Sequence, residues 1–317
     1  MMGLASLAYH PVPRIALAWT WDPLPLWTLT TALVLYLIGV FRLWSSAGIG
    51  HGVSSGRVAC FVLGIAAALF ALVSPLDQLS DGLFAAHMSQ HELLMVVAAP
   101  LLVLGRPFTV CIWTLPSKRR GAVVGYFRRP AARAAWQFVS APLLALVLHG
   151  AVRWLWHLPS LFEAAMRNEA IHAVQHLSFF CSAALLWWAM VHGRYGRAGY
   201  ALSVLFVFAT ALHTSILGVL ISVAPRVIYH VYQGRTEAYG WHALDDQALA
   251  GIIMWVPSGT LFMGCALALF AVWLGQAEQR AERSPFPNAL TADDGAVTRG
   301  GVSTTNFADS AAAERHP

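Results

Sequence analysis

The chain has 317 residues, of which 58% are hydrophobic and only 11% charged; its mean hydropathy is +0.60 and its formal net charge +5. Soluble globular domains carry roughly 25% charged residues, so a surface this poor in charge does not face water, and a secreted enzyme or a nucleic-acid binder is excluded. What remains is an all-α, polytopic membrane protein, because apolar blocks of spanning length alternate with short polar joints that hold most of the charge.

Residues 1–24 read as a segment lying at the membrane surface. The first charge is Arg14, and Pro11 and Pro13 interrupt any apolar core, which does not fit a signal peptide. Trp19, Trp21 and Trp27 fit an aromatic belt at the lipid–water boundary. A spanning helix needs about 20 mostly apolar residues and must satisfy its own backbone. Seven stretches qualify in chain order: 25–44, 57–75, 87–105, 136–156, 171–192, 199–221 and 248–275. Together they predict one seven-helix membrane domain over residues 25–275. Pro100, Pro142 and Pro257 are expected to kink their spans and to free carbonyls that need partners. From residue 276 to 317, Ala, Ser, Thr, Asp and Gly replace the large apolar residues, which predicts a disordered cytoplasmic tail.

The joints set the expected orientation. Joints one, three and five and the start of the tail carry Arg42, Arg57, Arg106, Lys118, Arg119, Arg120, Arg128, Arg129, Arg133, Arg194, Arg197, Arg280 and Arg283. The opposite side carries Arg14, Arg153, Arg167, Arg226 and Arg235. By the positive-inside rule the N-terminus is expected outside and the C-terminus in the cytoplasm of the cell inner (plasma) membrane.

Thirteen histidines is a high count for so apolar a chain. His87 and His91 open the third span and His172 and His176 the fifth, each pair spaced i, i+4. That spacing puts both imidazoles of a pair on one helix face, about 5–6 Å apart at Cβ, close enough to share a metal ion. Both spans begin on the same side in the expected topology, so the pairs lie near the outer end of the membrane. Intramembrane ionisable residues are costly and mark function by default, although interhelical hydrogen bonding would also account for them. Imidazole suits Zn, Cu, Fe and Ni, whereas thioether favours Cu(I). Met95 continues the His87–His91 face and Met88 adjoins His87, which leans towards copper; packing is the alternative role for both.

Other residues are weaker candidates. His157 lies level with the two pairs, at the end of the fourth span. His213 lies in the outer half of the sixth span, as ligand or interhelical hydrogen-bonder; His149 lies deeper, where packing is expected. Glu92, next to His91, is a candidate to orient an imidazole. Asp245 and Asp246 precede the seventh span with Gln247, where Asp supplies a helix N-cap. Cys60, Cys111, Cys181 and Cys265 form no C-x-x-C, and neither a P-loop, a G-x-S-x-G nor an H-E-x-x-H occurs.

Three stretches, HMSQHELLMVVAAPLLVLG (87–105), WHLPSLFEAAMRNEAIHAVQHLSFF (156–180) and DDQALAGIIMWVP (245–257), occur in order at the expected spans. In them the chain resembles the cytochrome c oxidase assembly family of the caa3 type, CtaG, over roughly residues 25–275. The resemblance implies a non-enzymatic membrane protein that helps mature a haem–copper oxidase at its copper centre. Its partners would be the copper-bearing catalytic subunit and the lipid bilayer. The residues it carries over are His87, His91, His157, His172, His176, Asp246 and Gln247. Three other classes compete: a di-metal membrane oxidase, a bis-histidine haem protein pairing His91 with His176, and a copper transporter. The absence of an H-x-x-H-H box counts against the first, and the scarcity of ligands in the inner halves of the spans against the last.

Overall fold

A computed structural model describes residues 18–192 and 199–282; Pro11, Pro13, Arg14, Arg194, Arg197, Arg283 and the remainder of the expected tail lie outside the described residues. Among the described residues there is no strand. The helices are α1 (Pro23–Ala47), α2 (Ser55–Val73), α3 (Pro75–Ser80), α4 (Phe84–Leu104), α5 (Pro107–Cys111), α6 (Ser117–Arg128), α7 (Pro130–Val139), α8 (Pro142–Trp156), α9 (Pro159–Arg167), α10 (Glu169–His192), α11 (Gly199–Ser222) and α12 (Ala243–Glu282).

Proline sets many of the starts. Pro23, Pro75, Pro107, Pro130, Pro142 and Pro159 each stand in the first turn of a helix, where the missing N–H is no loss and φ is already helical. Asp22 adds a cap to α1, its Oδ1 accepting from the Leu24 N–H at 3.0 Å. Among the described residues six helices are long and apolar enough to span a membrane, and the pair α7 and α8 makes a seventh if counted as one span.

The kink expected at Pro142 breaks the fourth span, and α7 and α8 meet at a 51° bend. Pro142 is the cause: it drives Ala141 to extended backbone, φ −62° and ψ 133°. The seventh helix is longer than expected and runs on to Glu282, so the tail composition begins inside a helix.

The bundle is organised around α4. Of its apolar stretch 67% is buried, and no other single-helix span exceeds 39%. Helices α2, α10 and α8 surround the site-bearing part of the bundle, with α2 and α10 packed on α4 and α8 packed on α10. Met95, Val103, Phe179, Leu186, Trp187, Phe206 and Phe262 form the central core. A second cluster of Phe84, Met88, Phe162, Tyr229, Tyr232 and Met254 closes the end at which α4 begins. Helices α11 and α12 approach backbone to backbone: a Cβ on Gly251 would lie 2.5 Å from the Gly218 carbonyl oxygen, the small-residue contact that membrane helices favour.

The α4 backbone contains a π-helical stretch at Leu93–Ala98. There the Ala99 N–H reaches Leu94 O instead of Met95 O, and the next residue, Pro100, has no N–H to give. Met95 O is thereby freed, and the indole N–H of Trp187 on α10 donates to it at 2.9 Å. One proline thus shifts the register of the central helix and is compensated by one tryptophan. Trp187→Phe should leave that carbonyl unpaired in an apolar interior and cost about 1–3 kcal/mol, read as a lower unfolding midpoint in detergent. An unchanged midpoint would show that the bond contributes nothing.

Candidate metal centre

Two local devices aim the histidines. Asn168 begins α10, its Oδ1 accepting from the Ile171 N–H at 3.1 Å, which is N-capping geometry. The start of α4 is capped from a distance: the Asp246 carboxylate accepts from the Phe84 N–H at 2.7 Å and the Ala85 N–H at 3.1 Å. Within the first turns of each helix, the i, i+4 spacing then turns His87 with His91, and His172 with His176, into the space between α4 and α10.

There the four rings touch. Ring centroids are 4.3 Å apart for His87–His91, 4.2 Å for His172–His176, 5.2 Å for His87–His172 and 4.9 Å for His91–His176. One ring nitrogen from each residue lies within 4.8 Å of the other three. His87 and His91 leave both nitrogens, and His172 and His176 leave Nε2, buried without a hydrogen-bond partner. Buried polar atoms are almost always paired, so a cluster of orphaned imidazole nitrogens is a set of lone pairs without a ligand. Nitrogens about 2.0–2.1 Å from a tetrahedral ion lie about 3.3 Å apart, and this set already lies within 4.8 Å. The residues fit a metal ion. They do not fit a haem between His91 and His176, because rings in mutual contact leave no slot for a macrocycle.

The remaining candidates fall elsewhere. His157 caps the end of α8, with Nδ1 2.6 Å from Arg153 O and Nε2 buried and unpartnered; it is not one of the four mutually close residues. His213 stands apart on α11, its ring 6.0 Å from that of His149. Met88 packs among Phe84, Phe162 and Met254, and Met95 sulfur faces Arg153 Nη1 at 3.9 Å. The lean towards copper that these methionines gave is therefore lost: the four donors are all imidazole.

Glu92 orients no imidazole. Its carboxylate is bound by Arg153 and by the Ser258 hydroxyl, since a buried carboxylate needs a cation before anything else. Asp246 caps α4 and not its own helix. Gln247 is a brace: its Oε1 accepts from the Ile228 N–H at 2.6 Å and its Nε2 donates to Arg226 O at 3.1 Å. Asp246→Ala should cost about 0.5–2 kcal/mol and, by displacing His87, weaken any metal the four histidines hold. A titration showing wild-type affinity would separate the cap from the site.

Several groups escaped the sequence reading. Arg153, expected in a joint, is buried within α8; the signal was its spacing, one turn from both His149 and His157. Gln175 is buried beside His176 with both amide atoms unpartnered. Tyr229 and Tyr232 roof the site, their hydroxyls donating to His157 O at 2.9 Å and Ser80 O at 3.0 Å. Burial, reinforced by the nearby Asp246 and Asp81 carboxylates, pushes the Tyr232 phenol well above its ordinary pKa, which keeps it a neutral donor.

The family model described as cytochrome c oxidase caa3 assembly factor (Caa3_CtaG) matches residues 34–276. An uncharacterized protein of Mycobacterium bovis is 26% identical over 246 residues, covering 74% of this chain and 36% of its own length, and one of Mycobacterium tuberculosis gives the same figures. One of Mycobacterium leprae is 23% identical over 297 residues, covering 89% of this chain and 44% of its own. This chain thus spans less than half the length of these curated relatives. No solved structure matches. With the match extending from within α1 to within α12, the chain belongs to the cytochrome c oxidase caa3 assembly factor family.

Proposed function

We propose that this protein is an assembly factor that holds copper on His87, His91, His172 and His176 and passes it to the copper-bearing catalytic subunit of a cytochrome c oxidase. Family membership supports the oxidase as partner. The orphaned ring nitrogens are the observation that carries metal binding. Four imidazoles accept zinc as well as copper, so the choice of copper rests on the family and not on the donors. Bound there, the ion would supply the cargo for a metal centre. The chain's own groups do the positioning: Asp246 and Asn168 fix the helix starts, and the neutral imidazoles present lone pairs from two buried histidines, His87 and His91, and two part-buried ones, His172 and His176. The reading is one of binding and transfer without turnover, since the charged pair beside the site, Glu92 and Arg153, is committed to itself.

Sidedness follows from charge. Lys118, Arg119, Arg120, Arg128 and Arg129 lie on α6 and the joint after it, and Arg42 is bonded to Thr114 O in the same region. The histidines open at the opposite ends of the spans. The positive-inside rule then puts the histidines towards the outer compartment of the inner membrane, where arriving copper is met first.

In cells lacking this protein, the oxidase should accumulate with its copper centre unfilled. Wild-type protein should restore it, and His87→Ala/His172→Ala, inserted at equal level, should not. Full restoration by that variant would contradict copper transfer, and an unaffected oxidase in the deletion strain would contradict the assembly role.

A further inference from the structure

A second histidine pair lies deeper in the bundle. His149 lies on α8, eight residues before the His157 cap and so about 12 Å from it along the helix. His149 is buried and faces His213 of α11, the ring centroids 6.0 Å apart at an interplanar angle of 66°. Three helices therefore meet at this point, because Ser182 of α10 lies with its Oγ 3.2 Å from His149 Nδ1.

Ser182 Oγ lies 3.1 Å from Phe179 O, and with its one proton donated there it accepts from His149 Nδ1, which leaves the lone pair on His149 Nε2. His213 has both ring nitrogens buried and unpartnered, and as a neutral imidazole it holds one unused lone pair, which is costly in an apolar interior. A metal–nitrogen bond of about 2.0 Å on each side, plus about 1.1 Å from ring nitrogen to ring centre, puts opposed centroids about 6 Å apart. That is the spacing observed.

We propose that His149 and His213 form a second, two-coordinate copper(I) site, deeper in the membrane than the four-histidine set. Two neutral donors suit a monovalent ion, whereas zinc almost always takes four ligands. Arg153, one turn from His149 on the same helix, places a positive charge near both histidines, and its pairing with Glu92 offsets part of it. The α8 face His149–Arg153–His157 joins this site to the end of the bundle where the four histidines open. The proposal rests on the copper reading for the identity of the metal alone.

Copper(I) alone, kept reduced with ascorbate, is added to the full chain in detergent and counted after removal of free ion. Wild type should hold two equivalents, and His149→Ala/His213→Ala and His87→Ala/His172→Ala one each. In the latter variant, X-ray absorption should show two-coordinate copper(I) bound by nitrogen alone. A wild-type single equivalent that disappears in His87→Ala/His172→Ala overturns the second site and leaves the first. A single equivalent lost only in His149→Ala/His213→Ala overturns the first and leaves the second. Should the deeper double variant fail to fold, His213→Gln replaces it, and two equivalents retained there overturn the proposal.

Discussion

Replacing His87 or His172 by alanine should weaken copper at the four-histidine set by more than about 100-fold, since losing even a group that merely orients a ligand costs 10–100-fold. The apo protein should hardly notice. Neither His87 nitrogen has a hydrogen-bond partner to lose, so the substitution removes an unsatisfied polar group at the expense of a small cavity. Copper at about 1,000 times its dissociation constant stabilises the fold that binds it by about 4 kcal/mol. Wild type should therefore gain that increment on loading, and the variants should lose most of it while matching the wild-type apo midpoint. Thermal unfolding with and without copper reads both. An apo protein that collapses on His87→Ala would show that the histidines hold the bundle together by themselves.

The second large effect lies beside the site. Glu92 of α4, Arg153 of α8 and Ser258 of α12 form a buried charged group linking three spans. Arg153→Met leaves the Glu92 carboxylate without its cation, and breaking a buried pair in this way costs about 3–5 kcal/mol. Glu92→Leu should cost as much by stranding Arg153. The double variant Glu92→Leu/Arg153→Met removes both charges and should recover most of the loss, because a buried pair often does no better than apolar residues of similar volume. Denaturant unfolding of the four proteins in one detergent gives the cycle. Additive losses in the double variant would mean that packing around Arg153, and not stranded charge, sets the cost.

These groups show what sequence could and could not convey. Hydropathy located the spans because lipid demands about 20 apolar residues wherever a helix crosses, and the i, i+4 histidine pairs were visible because that spacing fixes a face. Which face meets which depends on packing between helices. Asp246 has the sequence signature of a cap for its own helix, yet it caps one more than 160 residues earlier in the chain. Arg153 counted as a joint residue because it stands near the end of an apolar block; its partner Glu92 lies 61 residues away. Pro100 announced a freed carbonyl, but the π-helical register that makes it Met95 O, and the tryptophan that answers it, belong to tertiary structure. Met88 and Met95 sat at ligand-like spacing on α4, and that register turned Met95 towards Arg153 and not into the metal set.

The central claim, that His87, His91, His172 and His176 share one copper ion, is tested most directly by metal content. Protein purified in detergent under reducing conditions, loaded with copper and freed of excess, is measured by mass spectrometry beside His87→Ala/His172→Ala. The account predicts one copper equivalent fewer in the variant, with equal yield of folded protein. Equal copper in the two proteins would contradict it.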